Sequence, residues 1–465
     1  MSTRKPKIGL LALMTDGYEP IFPGITERQF KYAQELVKTL SPVADVVFDE
    51  IGCNREMIEK IVAEYNTSKL DGILITLLTY SHGAFLIRAL EDNHLPIALA
   101  VVQPDQEVLD EWVELDLTVN QGLHGAQDNA NIIAKSGTPC EFFAGNRHDE
   151  KFVRFVEDFA KAAYTRTVLK NMKTGAFSKM LGMGDILVDD FEFFRTIGPM
   201  VMQDTIGSVY SRMQAVSQKE IDAQIAKDKE MHDVDPKLTY ESHAEAVKMY
   251  LGFKKYLEDH EMQAFTAHFD QFSDDKRFKQ LPLYAASNLL AEGYGYAAEG
   301  DFMCASMVAA AGALGNQDAN FTEMYTMDFA KKAIIFCHAG EGNWATHRKD
   351  MKVRLIDRYL GEGGLDNPPT HIFTPEVGRA TLTSLAYKGN GKYKLVLAMG
   401  DMLPKSDLIG CEMPYFFWRP DAGVENCVEG WLRNGGTHHE VINLGDVKNR
   451  WKMLCNMLGV EFVEI

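Results

Sequence analysis

The sequence has no C-x-x-C pair. Its seven cysteines are scattered from Cys53 to Cys455 along 465 residues. That spacing argues against a zinc ribbon or a dithiol redox motif, and the odd count suits no closed disulfide framework. An excess of basic residues is lacking too: 48 Lys and Arg face 66 Asp and Glu, a formal net charge of −18. Phosphate backbones and anionic lipids need a basic face, so neither nucleic acid nor membrane is an expected partner. Long apolar runs are also missing. The stretch Ile8–Met14 is too short to cross a bilayer, and no small-residue cleavage site follows it. It reads as a first β-strand, and a cytoplasmic location is the expectation. No G-x-G-x-x-G follows that strand, so a dinucleotide is not implied.

What is present is an ordinary globular composition, 46% hydrophobic and 25% charged, in a chain longer than one core usually organises. The first third alternates apolar runs with helical periodicity. Lys7–Met14, Ala44–Phe48, Gly72–Leu78 and Ile97–Val102 read as strands. Thr26–Leu40, Glu56–Tyr65 and Gly83–Glu91 read as helices. Strands apolar on both faces and separated by helices predict a parallel, doubly wound sheet, whose ligands gather beyond the strands' carboxyl ends. After a helix over Glu150–Asn171, a second α/β unit follows. It holds a capping box at Ser217 and Glu220, helices over 218–230, Tyr240–Asp259 and Leu283–Ala291, and a strand over Ala264–Phe269. The last third changes character. Thr381–Tyr387 and Tyr393–Ala398 flank Gly389-Asn390-Gly391, a hairpin signal, and short strands are expected at Ala333–Cys337, His371–Phe373 and Glu440–Ile442. The pattern predicts two doubly wound α/β domains, residues 1–170 and 171–318, then a mainly antiparallel domain over 319–465, for which a barrel is one arrangement.

Four segments carry residues suited to chemistry. Glu292–Asp301 packs three acids and three glycines around two tyrosines; glycine there permits close backbone approach to a ligand, but a solvated turn has the same composition. Glu323 is a lone carboxylate among Phe321, Met324 and Tyr325, so it is either an edge residue or buried with a partner. His338 ends an apolar run and is either an imidazole ligand or a satisfied polar residue; Glu341 is either its orienting partner or an exposed side chain. His438 and His439 follow Gly435-Gly436; on a strand they would face opposite ways, so one of them reaches a given site. Two carboxylates with two imidazoles suit Mn²⁺, and Co²⁺ is acceptable. Pure oxygen ligation would favour Mg²⁺ or Ca²⁺, and thiolates Zn²⁺.

The blocks LLAEGYGYAAEGD, FTEMYTMDF, IIFCHAGE and NGGTHHEV occur in that order and resemble the L-arabinose isomerase family, with L-fucose isomerase more distant. NQGLHG, QAFTAHFDQF and KQLPL extend the resemblance to all three thirds. The resemblance implies a divalent metal, usually Mn²⁺, held by Glu299, Glu323, His338 and His439, with the two glutamates also moving protons. It implies that Gln121 and His124 reach the sugar from a neighbouring subunit and that Phe269 lines the pocket. It implies a subunit of two Rossmann-like α/β domains and a C-terminal β-barrel, assembled as a hexamer of paired trimers acting on a monosaccharide. Departures cluster around the sugar. The loop after the first strand reads Met14-Thr15-Asp16-Gly17-Tyr18-Glu19-Pro20, Ala339 stands where the family has Met, and Leu181–Asp185 replaces an Arg-Phe-Gly-Asp block. The expected reaction is aldose–ketose isomerisation through a cis-enediolate. An epimerase or lyase using the same intermediate, and a non-catalytic sugar-binding protein on this fold, are the alternatives.

Overall fold

The structure, a computed structural model, describes residues 4–316, 318–404 and 410–465. The chain forms two compact units. One comprises Thr3–Thr167 together with Asn449–Leu458, and the other Val168–Lys448 with Gly459–Ile465.

The first unit is built on five parallel strands: β1 (Lys7–Leu13), β2 (Asp45–Val47), β3 (Gly72–Leu77), β4 (Ile97–Val101) and β5 (Cys140–Ala144), in the order β2-β1-β3-β4-β5. β1 and β3 are buried along nearly their whole length because helices cover both faces, and that is why their sequences are apolar without alternation. The helix Ile25–Leu40 starts at Gly24. The Glu19 carboxylate accepts from the Gly24 and Thr26 N–H groups at 2.7 and 3.0 Å and so ties down the loop after β1. The segment Asn449–Leu458 returns to this unit. Arg450 binds Asp158 and Glu157 at 2.7 and 2.9 Å, and Trp451 is fully buried.

The second unit holds a parallel sheet and a barrel. β6 (Lys173–Phe177), β7 (Met200–Gln203), β9 (Ala264–Ala267) and β10 (Gly295–Ala298) pair in the order β10-β9-β6-β7, with the two-residue strand β8 (Asp233–Val234) lying elsewhere. The helix Gln218–Met231 begins in the expected capping box, with Ser217 and Glu220 bonded reciprocally. β11 (Ala319–Asp328), β12 (Ala333–Cys337), β15 (Gly378–Tyr387), β16 (Tyr393–Met402), β17 (Tyr415–Pro420) and β18 (His439–Leu444) form a closed antiparallel barrel, and β19 (Glu461–Glu464) runs parallel along β16. The hairpin β15–β16 pairs over ten residues, from Gly378↔Met402 to Tyr387↔Tyr393, across the Gly389-Asn390-Gly391 turn. The barrel core is aromatic and aliphatic: Phe336, Leu382, Val396, Phe416 and Trp418 are buried together with Trp431 of the helix Val424–Asn434.

One expected strand moves. His371 lies in β14 (Pro369–Ile372), which pairs with β13 (Arg354–Asp357), and β13 with β8, in a small separate sheet. Phe373 falls outside it. The two α/β sheets followed by an antiparallel barrel are otherwise the architecture expected.

Candidate active site

Three neighbouring barrel strands supply one wall of the site. In β11, Phe321 and Glu323 are two residues apart and leave the same face. Glu323 stands opposite His439 of β18 on one side and Cys337 of β12 on the other. His338 comes one residue beyond β12. The Phe321 ring lies 4.8 Å from the His338 ring and 5.0 Å from the His439 ring, an apolar spacer between the two imidazoles.

The opposite wall is the carboxyl end of β10. Glu299 follows that strand with φ 66°, a left-handed conformation that costs a glutamate about 1 kcal/mol or more. It is held there by two backbone bonds: its N–H donates to Ala267 O at 2.9 Å, and its carbonyl accepts from Met180 N–H at 2.8 Å. Gly300 has φ 89°, and a Cβ there would fall 2.3 Å from the Ser178 carbonyl oxygen, so only glycine fits. Asp301 then caps the helix Phe302–Leu314, its Oδ1 accepting from Cys304 N–H at 2.8 Å.

Buried carboxylates orient both imidazoles. His439 Nδ1–H donates to Asp301 Oδ2 at 3.1 Å, and His338 Nδ1–H donates to Glu341 Oε2 at 2.8 Å. Tyr296 OH donates to the other oxygen of Glu341 at 2.8 Å. With Nδ1 engaged, each ring turns Nε2 toward the carboxylates. His439 Nε2 lies 3.4 Å from Glu323 Oε1 and 3.5 Å from Glu299 Oε2, and His338 Nε2 lies 3.8 Å from Glu323 Oε1. His439 Nε2 is buried with no hydrogen-bond partner. A buried ring nitrogen without a partner and the two carboxylates it faces form a donor set that could hold a cation. The ligand atoms of Glu323, His338 and His439 all lie within 4.8 Å of one another, as do those of Glu299, His438 and His439.

The electrostatics agree. Burial opposes charge on His439 and His338, yet Asp301, Glu299 and Glu323 around one ring and Glu341 beside the other more than offset it. Both rings therefore bind a proton more tightly than a free imidazole. The neighbouring imidazoles of His438 and His439 hold the Glu299 carboxyl well below the usual carboxylate range. Burial, with the charge of Glu323 nearby, pushes Glu440 well above that range. The field at the centre therefore favours positive charge, and a divalent ion would displace the protons.

Strand alternation suggested that one histidine of the pair would reach the site. Both do. His438 precedes β18, where alternation does not yet apply, and Asp185 Oδ2 accepts from its backbone N–H at 2.9 Å and its Nδ1–H at 2.7 Å. Its Nε2 then lies 3.5 Å from Glu323 and 3.8 Å from Glu299. The hydrogen bond to Asp185, together with the nearby Glu299 carboxylate, raises His438 to about 9. Asp185 falls to about 2, because the bonds from His438 outweigh its burial.

Matches to known proteins cover the whole site. The L-arabinose isomerase N-terminal, central and C-terminal domain families match residues 21–171, 188–317 and 318–461. The chain belongs to the L-arabinose isomerase family. That family places it among the aldose–ketose isomerases, the intramolecular oxidoreductases of sugars. L-arabinose isomerase 1 of Clostridium acetobutylicum is 26% identical over 94% of this chain and 91% of its own length. The L-arabinose isomerase of Clostridium beijerinckii is 24% identical over 95% and 93%, and that of Pediococcus pentosaceus 25% over 95% and 98%.

Within this L-arabinose isomerase frame, Glu299, Glu323, His338 and His439 come together, and the Phe269 ring lies 6.1 Å from that of His338. Gln121 and His124 belong to the other unit. Gln121 precedes the helix Gly122–Ser136, and the exposed His124 ring lies 3.4 Å from Gln121 Oε1 and packs at 4.8 Å on Tyr80. The Tyr80 hydroxyl donates to Asp128 at 3.0 Å. The supporting carboxylates Asp301 and Asp185 were not readable as such from the sequence. The one available signal was Asp301 standing immediately before a helical run, an N-cap position.

Proposed function

We propose that the protein is a divalent-metal-dependent aldose–ketose isomerase acting on a monosaccharide through a cis-enediolate. Glu299, Glu323, His338 and His439 would hold the ion, Mn²⁺ by preference, with Co²⁺ or Mg²⁺ as substitutes. The observation that carries this reading is the unpartnered, buried Nε2 of His439, aimed between Glu299 and Glu323 while Asp301 engages Nδ1.

When bound, the ion would polarise the C1 and C2 oxygens of the open-chain sugar. The protein's own groups then move the protons. One of Glu299 and Glu323 takes the proton from C2, and the electrons of that bond form the C1–C2 double bond as the C1 carbonyl becomes a hydroxyl. The same group returns a proton to C1. The other carboxylate passes the hydroxyl proton between the two oxygens. Phe269 and Phe321 flank the imidazoles with apolar surface that keeps water from competing.

The relatives' names specify L-arabinose for those proteins. Here Ala339 and the loop Met14–Pro20 alter the surroundings of the sugar, so pentoses, hexoses and deoxysugars all belong in the test. A cytoplasmic homohexamer of paired trimers, with Gln121 and His124 offered to a neighbouring copy's site, completes the proposal. So does a division into domains at residues 170 and 318.

The deciding experiment incubates Mn²⁺-loaded protein with a panel of aldoses and ketoses in deuterated water and follows the products by NMR. Deuterium at C1 of a ketose formed from an aldose, or at C2 of an aldose formed from a ketose, and lost in a folded Glu323→Gln variant, supports the isomerase. Carbon–carbon cleavage, inversion at a stereocentre, or normal exchange in the variant would overturn it.

A further inference from the structure

The first unit contains a cavity remote in the chain from every residue of the metal centre. It has a volume of about 450 Å³ and is lined by Gln29, Tyr32, Glu35, Asp105 and Arg147, among others. Its place in the fold is one where ligands collect. Gln29 Nε2 donates at 2.8 Å to Leu78 O, just past β3, and at 2.8 Å to Val119 O. Asp105 follows β4 and Arg147 follows β5, so the cavity lies at the carboxyl ends of three neighbouring parallel strands.

Three of its lining residues carry buried polar atoms without hydrogen-bond partners: Gln29 Oε1, Tyr32 OH and Arg147 Nε. Gln29 is 0% and Tyr32 4% exposed. Leaving such groups unpaired is costly, and three around one cavity need an explanation. The Gln29 amide cannot be turned to escape, because its Nε2 already serves two carbonyl oxygens.

The cavity lining carries three cations, Arg28, Lys31 and Arg147, and three anions, Glu27, Glu35 and Asp105, each engaged by a polar or charged neighbour. Lys31 bonds Glu27 at 2.6 Å, Arg147 bonds Glu35 at 2.7 Å, Arg28 lies 3.5 Å from Asp116, and the Asp105 carboxylate accepts from Asn120 at 2.8 Å. No net charge remains to select an ion. The unpaired atoms ask instead for a neutral partner that both donates, to Gln29 Oε1, and accepts, from Tyr32 OH and Arg147 Nε. Adjacent hydroxyls do both. Arg147 lies over the Tyr32 ring at 5.1 Å and is held by the exposed Glu35, an ion pair that is cheap to break. Arg147 is thus a movable cover over Tyr32 and Gln29.

We propose that this cavity is a second, non-catalytic site that binds a neutral polyhydroxylated molecule, a sugar or polyol, between Gln29, Tyr32 and Arg147. The proposal does not depend on the metal centre.

The test uses the full metal-loaded chain with xylitol as probe, read by hydrogen–deuterium exchange over residues 24–35 and by titration calorimetry. Xylitol should protect residues 24–35 equally in the wild type and in Glu323→Gln, which separates this site from the catalytic one. Tyr32→Phe keeps the packed ring and removes only the unpaired hydroxyl. It should raise the melting temperature without xylitol, weaken xylitol binding at this site at least tenfold, and leave kcat unchanged. A merely structural hydroxyl would not give these opposite movements. Protection that vanishes in Glu323→Gln, protection by inorganic phosphate in place of xylitol, or unchanged xylitol binding in Tyr32→Phe would each overturn the proposal.

Discussion

Replacing Glu341 by Gln isolates one charge. Glu341 is fully buried between His338 Nδ1–H and the Tyr296 hydroxyl, both at 2.8 Å. The amide has nearly the same shape. Its oxygen can still accept from His338, and Tyr296 can rotate its hydroxyl to accept from the new NH₂ group, so hydrogen bonds are conserved while the negative charge is lost. The imidazole becomes a weaker electron donor at Nε2. Loss of such an orienting carboxylate ordinarily costs 10–100-fold in metal affinity, about 1.4–2.7 kcal/mol. Calorimetric titration of chelator-treated Glu341→Gln with Mn²⁺ should therefore give a Kd about 10–100 times that of the wild type, with a circular dichroism spectrum unchanged. Activity at saturating Mn²⁺ should recover in part, because His338 keeps its orientation. An affinity within twofold of wild type in a folded variant would refute the claim that Glu341 tunes a metal-binding imidazole.

Two further outcomes are expected. His371 is fully buried, with both ring nitrogens unpartnered; burial, and then the neighbouring His232, lower its pKa to about 3. Asp228, His243 and Tyr284 also face this cluster. Below about pH 6.5 the unfolded chain binds a proton that the folded one refuses, so stability is present above that pH and lost as pH falls toward 3, by about 1.4 kcal/mol per pH unit. Urea midpoints of His371→Phe should lose that slope between pH 6 and 4; equal slopes in the two proteins would contradict the buried neutral state. In Gly295→Ala the added Cβ would sit 2.1 Å from the Ala305 carbonyl oxygen. Displacing the helix that Asp301 caps should cost about 3 kcal/mol and lower the melting temperature by several degrees, and an unchanged melting curve would show that the helix yields freely.

Helices were legible where apolar spacing and caps agreed. Glu150–Asn171 and Tyr240–Asp259 match residue for residue, and the Ser217 box starts its helix as expected. Short strands such as β7 and β8 were not, because two to four residues carry no period, and only their pairing defines them. Of the candidate site residues, Glu299, His338 and His439 stand at strand ends beside apolar sequence, whereas Glu323 lies mid-strand in β11 and stood out as a lone carboxylate among apolar neighbours. Their supports were not legible. Asp185 and His438 are 253 positions apart, and Asp301 and His439 are 138 apart, so folding alone brings them together. The glycines around Glu299 were read as room for a ligand. Gly295 and Gly300 instead admit close backbone packing, against Ala305 and Ser178. That packing places Glu299, so the residue type was informative although the reason for it was different.

The return of Asn449–Leu458 to the first unit has a consequence for biosynthesis. Trp451 and Arg450 complete a unit whose other residues end at Thr167. During translation, roughly 280 residues separate the two, or about 15–60 s at ordinary elongation rates. For that interval the nascent unit lacks the Trp451 side chain, and the acidic pair Glu157 and Asp158 lacks Arg450. The interval is a window for chaperone capture on the ribosome, and it closes only when Asn449–Leu458 has cleared the exit tunnel.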